Sequence, residues 1–299
     1  MKNLNLLLVA VIIICSGCKN DNSTEEVSSG KIEAVSSINI ISDIVQNIGG
    51  DKVDSYSICG VGVDPHTYQP KPSDPRKVSK SKIVFINGFN LEHWIEEMIK
   101  GAGGEKKVVT VSEGITPMTD EKGFGDPDPH AWFDVANVKT YAENIAIGLK
   151  EIDPENADYY EANLKKYLSE LESLDNWIKS EITKIPEDKR ILITSHDAFR
   201  YFGRAYGLEV KGLQGISTEA KVRTEDFKNI IDLIKEKKIR SVFIETSVNP
   251  KLLEQISGET GAQVGGTLYS DSIGNEGTDE GSYIGAVKFN VNTIVNSLK

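Results

Sequence analysis

Three cysteines among 299 residues are too few to build a disulfide-stapled scaffold. Positive charge is also short, with 34 basic side chains facing 45 acidic ones for a net charge of −11. A nucleic-acid binder needs a basic stripe to neutralise phosphates, so that class falls away. Ten prolines and 26 glycines are ordinary usage, which excludes collagen-like and low-complexity chains. A membrane-spanning helix needs roughly twenty consecutive apolar residues, and the run Leu6–Cys15 is about half that. Histidine is scarce too, with four copies. What remains is an acidic α/β-sized chain, long enough for two lobes that each bury a core.

The short apolar run follows Lys2 and precedes Ser16-Gly17-Cys18, the layout of a secretory leader. The small residues before Cys18 resemble a bacterial lipobox, in which the cysteine thiol receives a lipid before cleavage. We therefore expect residues 1–17 to be a leader and Cys18 to be the lipidated residue. Residues 18–30 are polar and aperiodic, so they read as a disordered tether. Cys59 is then the only free thiol. Its strand-like neighbours Ser57 and Ile58 make it a buried, inert one.

From Lys31 the chain alternates strand-like and helix-like segments, the signature of βα units around parallel sheets. Ile32–Ser36, Lys52–Cys59, Ile83–Ile86 and Lys107–Val111 read as strands, with helices near Ile38–Ile48, Ser73–Lys80, Leu91–Lys100 and Val135–Lys150. The second half repeats the plan with strands Arg190–Thr194, Glu209–Leu213, Ser241–Ile244 and Val264–Tyr269. Its helices lie near Ala198–Tyr206, Glu225–Lys237, Pro250–Thr260 and Ser282–Leu298. This predicts two (βα)4 lobes, residues 31–152 and 186–299, joined by residues 153–185. In that link, apolar residues recur from Tyr160 to Ile182 at helical spacing, with Asp153 as a cap, Pro154 in the first turn and Pro186 as the stop. A helix over Pro154–Lys184 would be about 46 Å long and would act as a stiff strut. The stripe is broken by Asn163 and lacks sustained heptads, which argues against a coiled-coil arm.

Two of the four histidines occur in one repeated tripeptide, Asp64-Pro65-His66 and Asp128-Pro129-His130, each in a loop after a strand. Proline fixes φ, so each imidazole is presented by a stiff loop. His196 follows the strand Arg190–Thr194, a third histidine beyond the C-terminal end of a strand, where α/β sheets bind ligands. Neutral imidazoles bind divalent transition metals, and a carboxylate often completes the set. Asp271, just after Val264–Tyr269, is the best-placed carboxylate, and Glu245 is suited to orient an imidazole from behind. Asp64 and Asp128 either cap their turns or play the same orienting role. His93 has no partner in sequence and reads as a surface or half-buried helix residue. The glycine-bearing acidic run Thr119–Asp128 reads as a mobile lid.

The stretches Val63–Tyr68, Asp128–Trp132, Thr194–Phe199 and Leu268–Asp271 together resemble the four ligand motifs of one family. It is the zinc/manganese solute-binding lipoproteins of ABC importers, the TroA-like or cluster A-I group, and the resemblance spans Lys31 to Lys299. It implies two lobes joined by one rigid helix, with one Zn(II) or Mn(II) ion, as transported cargo, held between them. His66 and His130 would come from the first lobe, His196 and Asp271 from the second. It also implies a protein lipid-anchored outside the cytoplasmic membrane that hands its ion to a cognate permease, as a monomer, without catalysis or organic cofactor. Manganese-dedicated members carry Glu at the position of His196, and zinc-dedicated members often carry a histidine-rich loop that Glu113–Asp128 lacks. The nitrogen-rich donor set favours zinc. Affinity is expected to fall from about pH 7 to 5 as protons compete for the three imidazoles. The rival readings are a secreted zinc-dependent hydrolase, which would use Glu245 as general base at an open metal position, and a metal-binding adhesin. The chain has no His-Glu-x-x-His and no nucleophile elbow.

Overall fold

Strand β1 (Ile32–Ile38) is buried along almost its whole length, as a central strand covered on both faces must be. In the computed structural model, which describes residues 30–119, 126–219 and 221–299, it lies second in a four-stranded parallel sheet. The expected leader, Cys18, nearly all of the tether and the middle of the Thr119–Asp128 lid segment lie outside the described residues. The chain continues through helix α1 (Asn39–Gly49), β2 (Val53–Cys59), α2 (Asp74–Lys80), β3 (Ile83–Ile86), α3 (Ile95–Ala102) and β4 (Lys107–Thr110). The sheet order is β2-β1-β3-β4. Helix α4 (Val135–Ile152) follows, capped by the Asp134 carboxylate on the Ala136 N–H.

The second sheet repeats this order with β5 (Ile191–His196), β6 (Glu209–Gln214), β7 (Ser241–Glu245) and β8 (Gln263–Leu268), arranged β6-β5-β7-β8 and all parallel. Its helices are α6 (Arg200–Tyr206), α7 (Thr224–Lys237), α8 (Lys251–Thr260) and α9 (Tyr283–Leu298). All eight predicted strands are present, and β5 runs two residues further than predicted, so His196 is its last residue rather than a residue beyond its end. His93 is displaced in the other direction: it sits in the turn before α3, not inside the helix.

Helix α5 (Ala157–Ile182) is the predicted strut, 26 residues and about 39 Å long. It is shorter than expected because Pro154–Asn156 forms a tighter single turn before it and the helix ends at Ile182, two residues early. Asp153 does not cap the backbone. Its carboxylate instead accepts from Asn156 Nδ2 at 2.8 Å and Tyr160 OH at 2.6 Å. The apolar face carries Tyr160, Leu164, Tyr167, Leu171, Leu174, Ile178 and Ile182, and packs on α1, α4 and α9. Asn163, the break in that stripe, donates to the Ile48 carbonyl at 3.0 Å and so satisfies the end of α1.

One apolar cluster runs from the first sheet through α1, α4 and α5 to α9 and reaches Phe243 and Leu268 of the second sheet. A smaller cluster, including Ile193, Val242, Ile230 and Ile256, fills the far face of the second sheet beneath α7 and α8. Because the larger core is shared, the two sheets are coupled through packed side chains as well as through the strut. Buried Cys59 is free, as expected, and burial pushes its thiol up out of the reactive range.

Gly212 on β6 pairs with Thr194 and lies hard against the strand end that carries His196. A Cβ there would stand 2.3 Å from the Asp197 nitrogen and 2.5 Å from the His196 carbonyl carbon. Both neighbours are backbone, so neither yields cheaply. Gly212→Ala is expected to lower stability by about 1–3 kcal/mol, read from denaturant midpoints. An unchanged midpoint would mean that the β5–β6 contact is looser than the backbone spacing implies.

Candidate metal centre

Four strand ends bring four side chains to one point. His66 comes from the loop after β2, His130 from the segment between β4 and α4, His196 from the end of β5 and Asp271 from the loop after β8. One donor atom from each lies within 4.8 Å of all the others, and all four residues are buried. His66 Nε2 is 3.2 Å from His130 Nε2, which is 3.3 Å from His196 Nε2. Asp271 Oδ1 stands 3.4 Å from His130 Nε2, and its Oδ2 stands 3.5 Å from His196 Nε2.

The two Asp-Pro-His tripeptides use the same local device. In each, the aspartate accepts the N–H of the histidine two residues on: Asp64 from His66 at 2.9 Å, Asp128 from His130 at 3.1 Å. The proline carbonyl between them is then pinned from outside, Pro65 by Trp94 Nε1 at 2.9 Å and Pro129 by Asn87 Nδ2 at 2.9 Å. Asn87 is itself gripped by the Tyr141 hydroxyl and the buried Glu92 carboxylate.

The tripeptides then diverge. Asp128 Oδ1 also lies 2.8 Å from His130 Nδ1. Asp64 instead spends its other oxygen on the hydroxyls of Thr67 at 3.0 Å and Thr218 at 2.6 Å. Asp128 orients an imidazole, whereas Asp64 shapes a loop.

Glu245 does for His196 what Asp128 does for His130. Its Oε1 accepts the His196 N–H at 2.9 Å and its Oε2 lies 2.6 Å from Nδ1. A carboxylate at Nδ1 holds the proton there and leaves the Nε2 lone pair facing the other donors. Asp271 is oriented by Ser247, whose hydroxyl donates to Oδ2 at 2.9 Å. Trp132 Nε1 donates to the Ser270 carbonyl at 3.1 Å, which ties the His130 segment to the Asp271 loop across the lobes. Sequence reasoning did not assign roles to Ser247, Trp132, Asn87 or Glu92: Trp132 closes one of the four motifs, but its partner Ser270 is 138 residues away, and Asn87 reaches Pro129 across 42 residues.

Burial pushes His66 down to about 4. Burial acts the same way on His130 and His196, but the carboxylates of Asp128, Asp271 and Glu245 outweigh it and hold both above the ordinary imidazole value. Burial would raise Asp271, yet His196 and His130 hold its carboxyl well below the usual range. Asp271 Oδ1 is buried with no hydrogen-bond partner among the described residues, a donor atom that a cation would satisfy. The chemistry is therefore that of a closed site of three imidazole nitrogens and one carboxylate oxygen, suited to a divalent transition metal. His93 stays outside it, exposed and 3.5 Å from Glu219.

Residues 34–297 match the family described as ZnuA, zinc-uptake complex component A periplasmic. The chain is 35% identical over 295 residues to the manganese-binding lipoprotein MntA of Halalkalibacterium halodurans, covering 98% of this chain and 97% of that protein. It is 34% identical over 311 residues to the manganese ABC transporter substrate-binding lipoprotein PsaA of Streptococcus pneumoniae, covering 100% and 99%. The periplasmic zinc-binding protein TroA of Treponema pallidum superposes with a TM-score of 0.86 at 35% identity, covering 90% of this chain and 99% of that one. The chain belongs to this family of metal-uptake components and is not an enzyme.

In chelator-treated protein, histidine NMR titration is expected to show His66 ionising near pH 4 and His196 still protonated above its ordinary value. Glu245→Gln removes the charge behind Nδ1 and is expected to lower the His196 pKa. An unmoved His196 would mean that Glu245 holds the backbone alone.

Proposed function

We propose that this protein captures one divalent transition-metal ion between its two lobes, through His66, His130, His196 and Asp271, and delivers it to a membrane permease. The convergence of four buried donor atoms from two sheets carries this reading. Residues 31–152 and 186–299 serve as the two metal-holding lobes, with residues 153–185 as the link. Residues 1–17 act as a leader, Cys18 takes the lipid, and residues 18–30 tether the body outside the cytoplasmic membrane. The carrier works as a monomer beside its permease.

Zinc is the favoured cargo. A tetrahedral zinc site with bonds of 2.0–2.1 Å has donor–donor edges of about 3.3 Å. The three edges that meet at His130 Nε2 measure 3.2, 3.3 and 3.4 Å. Three nitrogens and one oxygen also suit zinc better than manganese, which favours oxygen-rich octahedral sites. Manganese is the second reading, supported by the manganese-binding names of the relatives. The hydrolase reading finds no support, since four protein donors leave no open position for a water nucleophile. Nothing in the arrangement favours an adhesin.

Calorimetric titration of the chelator-stripped protein with Zn(II) and Mn(II) is expected to give one site per chain, with zinc the tighter ion. His196→Ala should weaken binding by at least roughly a hundredfold, as loss of a direct ligand exceeds the 10–100-fold cost of losing an orienting partner. A full-affinity His196→Ala protein would remove the four-residue site from the account.

The site's electrostatics also change the expected pH dependence. His66, held near 4, is already neutral at pH 7 and has no proton to give. His130 and His196 are held above the ordinary imidazole value by their carboxylates, so protons compete with a metal for them from a higher pH than for a free imidazole. Affinity should therefore begin to fall at a higher pH than ordinary imidazoles would set. Titrations in buffers of different ionisation enthalpy at pH 7 should show protons released as metal binds. Release of none would mean that both imidazoles are already neutral.

A further inference from the structure

His66 is the member of the site nearest to water. It keeps 4% of its surface exposed, against 1% for Asp271 and none for His130 or His196. That exposure opens into a cavity of about 350 Å³ between the lobes. Phe89, Asn90 and His93 of the turn before α3 form one wall, Ile216, Ser217 and Glu219 of the loop after β6 the other, and Asp126 also lines it. At the rim the walls meet through His93 Nε2 and Glu219 Oε1, 3.5 Å apart, both side chains more than half exposed. Deeper in, Thr218 of the loop after β6 donates to Asp64 of the loop after β2 at 2.6 Å, next to His66 itself.

We propose that the metal ion reaches and leaves the four-residue site through this cavity, with His93 and Glu219 as the pair that first takes the ion at its rim. The proposal rests on the metal-carrier reading above and assigns that site its route. An imidazole and a carboxylate at 3.5 Å bind a divalent cation in place of each other, so the arriving ion breaks the contact that spans the opening. Asp126 and Glu219 make the opening acidic, which draws cations in and repels anions. His66, the one donor visible from the cavity, is the first permanent ligand the ion meets. The three remaining donors follow from deeper positions. An exposed ion–imidazole contact is weak, so the rim pair opens readily and leaves the bound state to the buried donors.

This makes a kinetic statement that the four-ligand site alone does not. Residues that line the route but do not touch the bound ion must change association and dissociation by the same factor, leaving Kd as it was, because Kd is the ratio of the two rates. The test is stopped-flow exchange of Zn(II) between the full chain and a chromogenic chelator, with Kd measured separately by calorimetry. Ser217→Trp fills the cavity and is expected to slow both rates at least tenfold. Glu219→Gln removes the rim carboxylate and is expected to slow both rates severalfold at low salt, an effect that fades as salt screens the charge. If Ser217→Trp loses the wild-type circular dichroism spectrum, Glu219→Gln decides alone. Unchanged rates in a folded variant overturn the proposal. So does a change in Kd carried by one rate only, which would place the residue in the resting site. Failure of the wild-type chain to bind zinc at equilibrium would instead overturn the carrier reading on which the route depends.

Discussion

Three carboxylates and three imidazoles buried in one small volume must be balanced by protons or by a cation, since an unpaired buried charge is costly. Asp128, Asp271 and Glu245 are all buried, and they pull His130 and His196 upward while His66 is forced down. Protons on His130 and His196 and a bound divalent cation are alternative ways of balancing the same buried carboxylates, whose charge holds both imidazoles above their ordinary value.

That exchange requires the donors to stay in place while the charge changes hands. The carboxylates behind His130 and His196 each hold an imidazole at Nδ1 and at its backbone N–H, so ring and loop move together. Between lobes the grip is just as direct. Asn39 and Ile273 exchange two hydrogen bonds, Asp43 accepts the Tyr283 N–H, and the Tyr283 hydroxyl donates to the Trp132 carbonyl. α5 packs on α1 and α4 of the first half and on α9 of the second, so the core that holds the strut is continuous with the core under both sets of donors.

How much of this was legible in the sequence divides along local and distant lines. Strand-end histidines were readable because βα units place ligands at the C-terminal ends of strands, and the paired Asp-Pro-His tripeptides marked two of them. The strut was readable from its apolar spacing, but its first turn was not. Asp153 and Pro154 look like a helix start, yet Tyr160 draws the Asp153 carboxylate away from the backbone. Asn163 looked like a fault in the stripe and proved to be a partner for the end of α1. The two aspartates of the repeated tripeptide were indistinguishable in sequence. What separates them lies in the fold: the second Asp64 oxygen turns to the hydroxyls of Thr67 and of Thr218, 154 residues away, whereas Asp128 Oδ1 also lies 2.8 Å from His130 Nδ1.

That difference gives the two tripeptides different parts in the working of the site. His130 is fixed from behind, fully buried and adjacent to every other donor, so it acts as the hub. His66 has no carboxylate at its Nδ1 among the described contacts and stands where the cleft meets solvent. It is also the imidazole that burial leaves unprotonated at neutral pH. If the four residues hold a metal as proposed, an imidazole that is neutral, less constrained and nearest to water is ready for an arriving ion without first giving up a proton. The two tripeptides thus differ in what the aspartate holds: Asp64 takes the His66 N–H alone, whereas Asp128 holds both the N–H and the Nδ1 of His130.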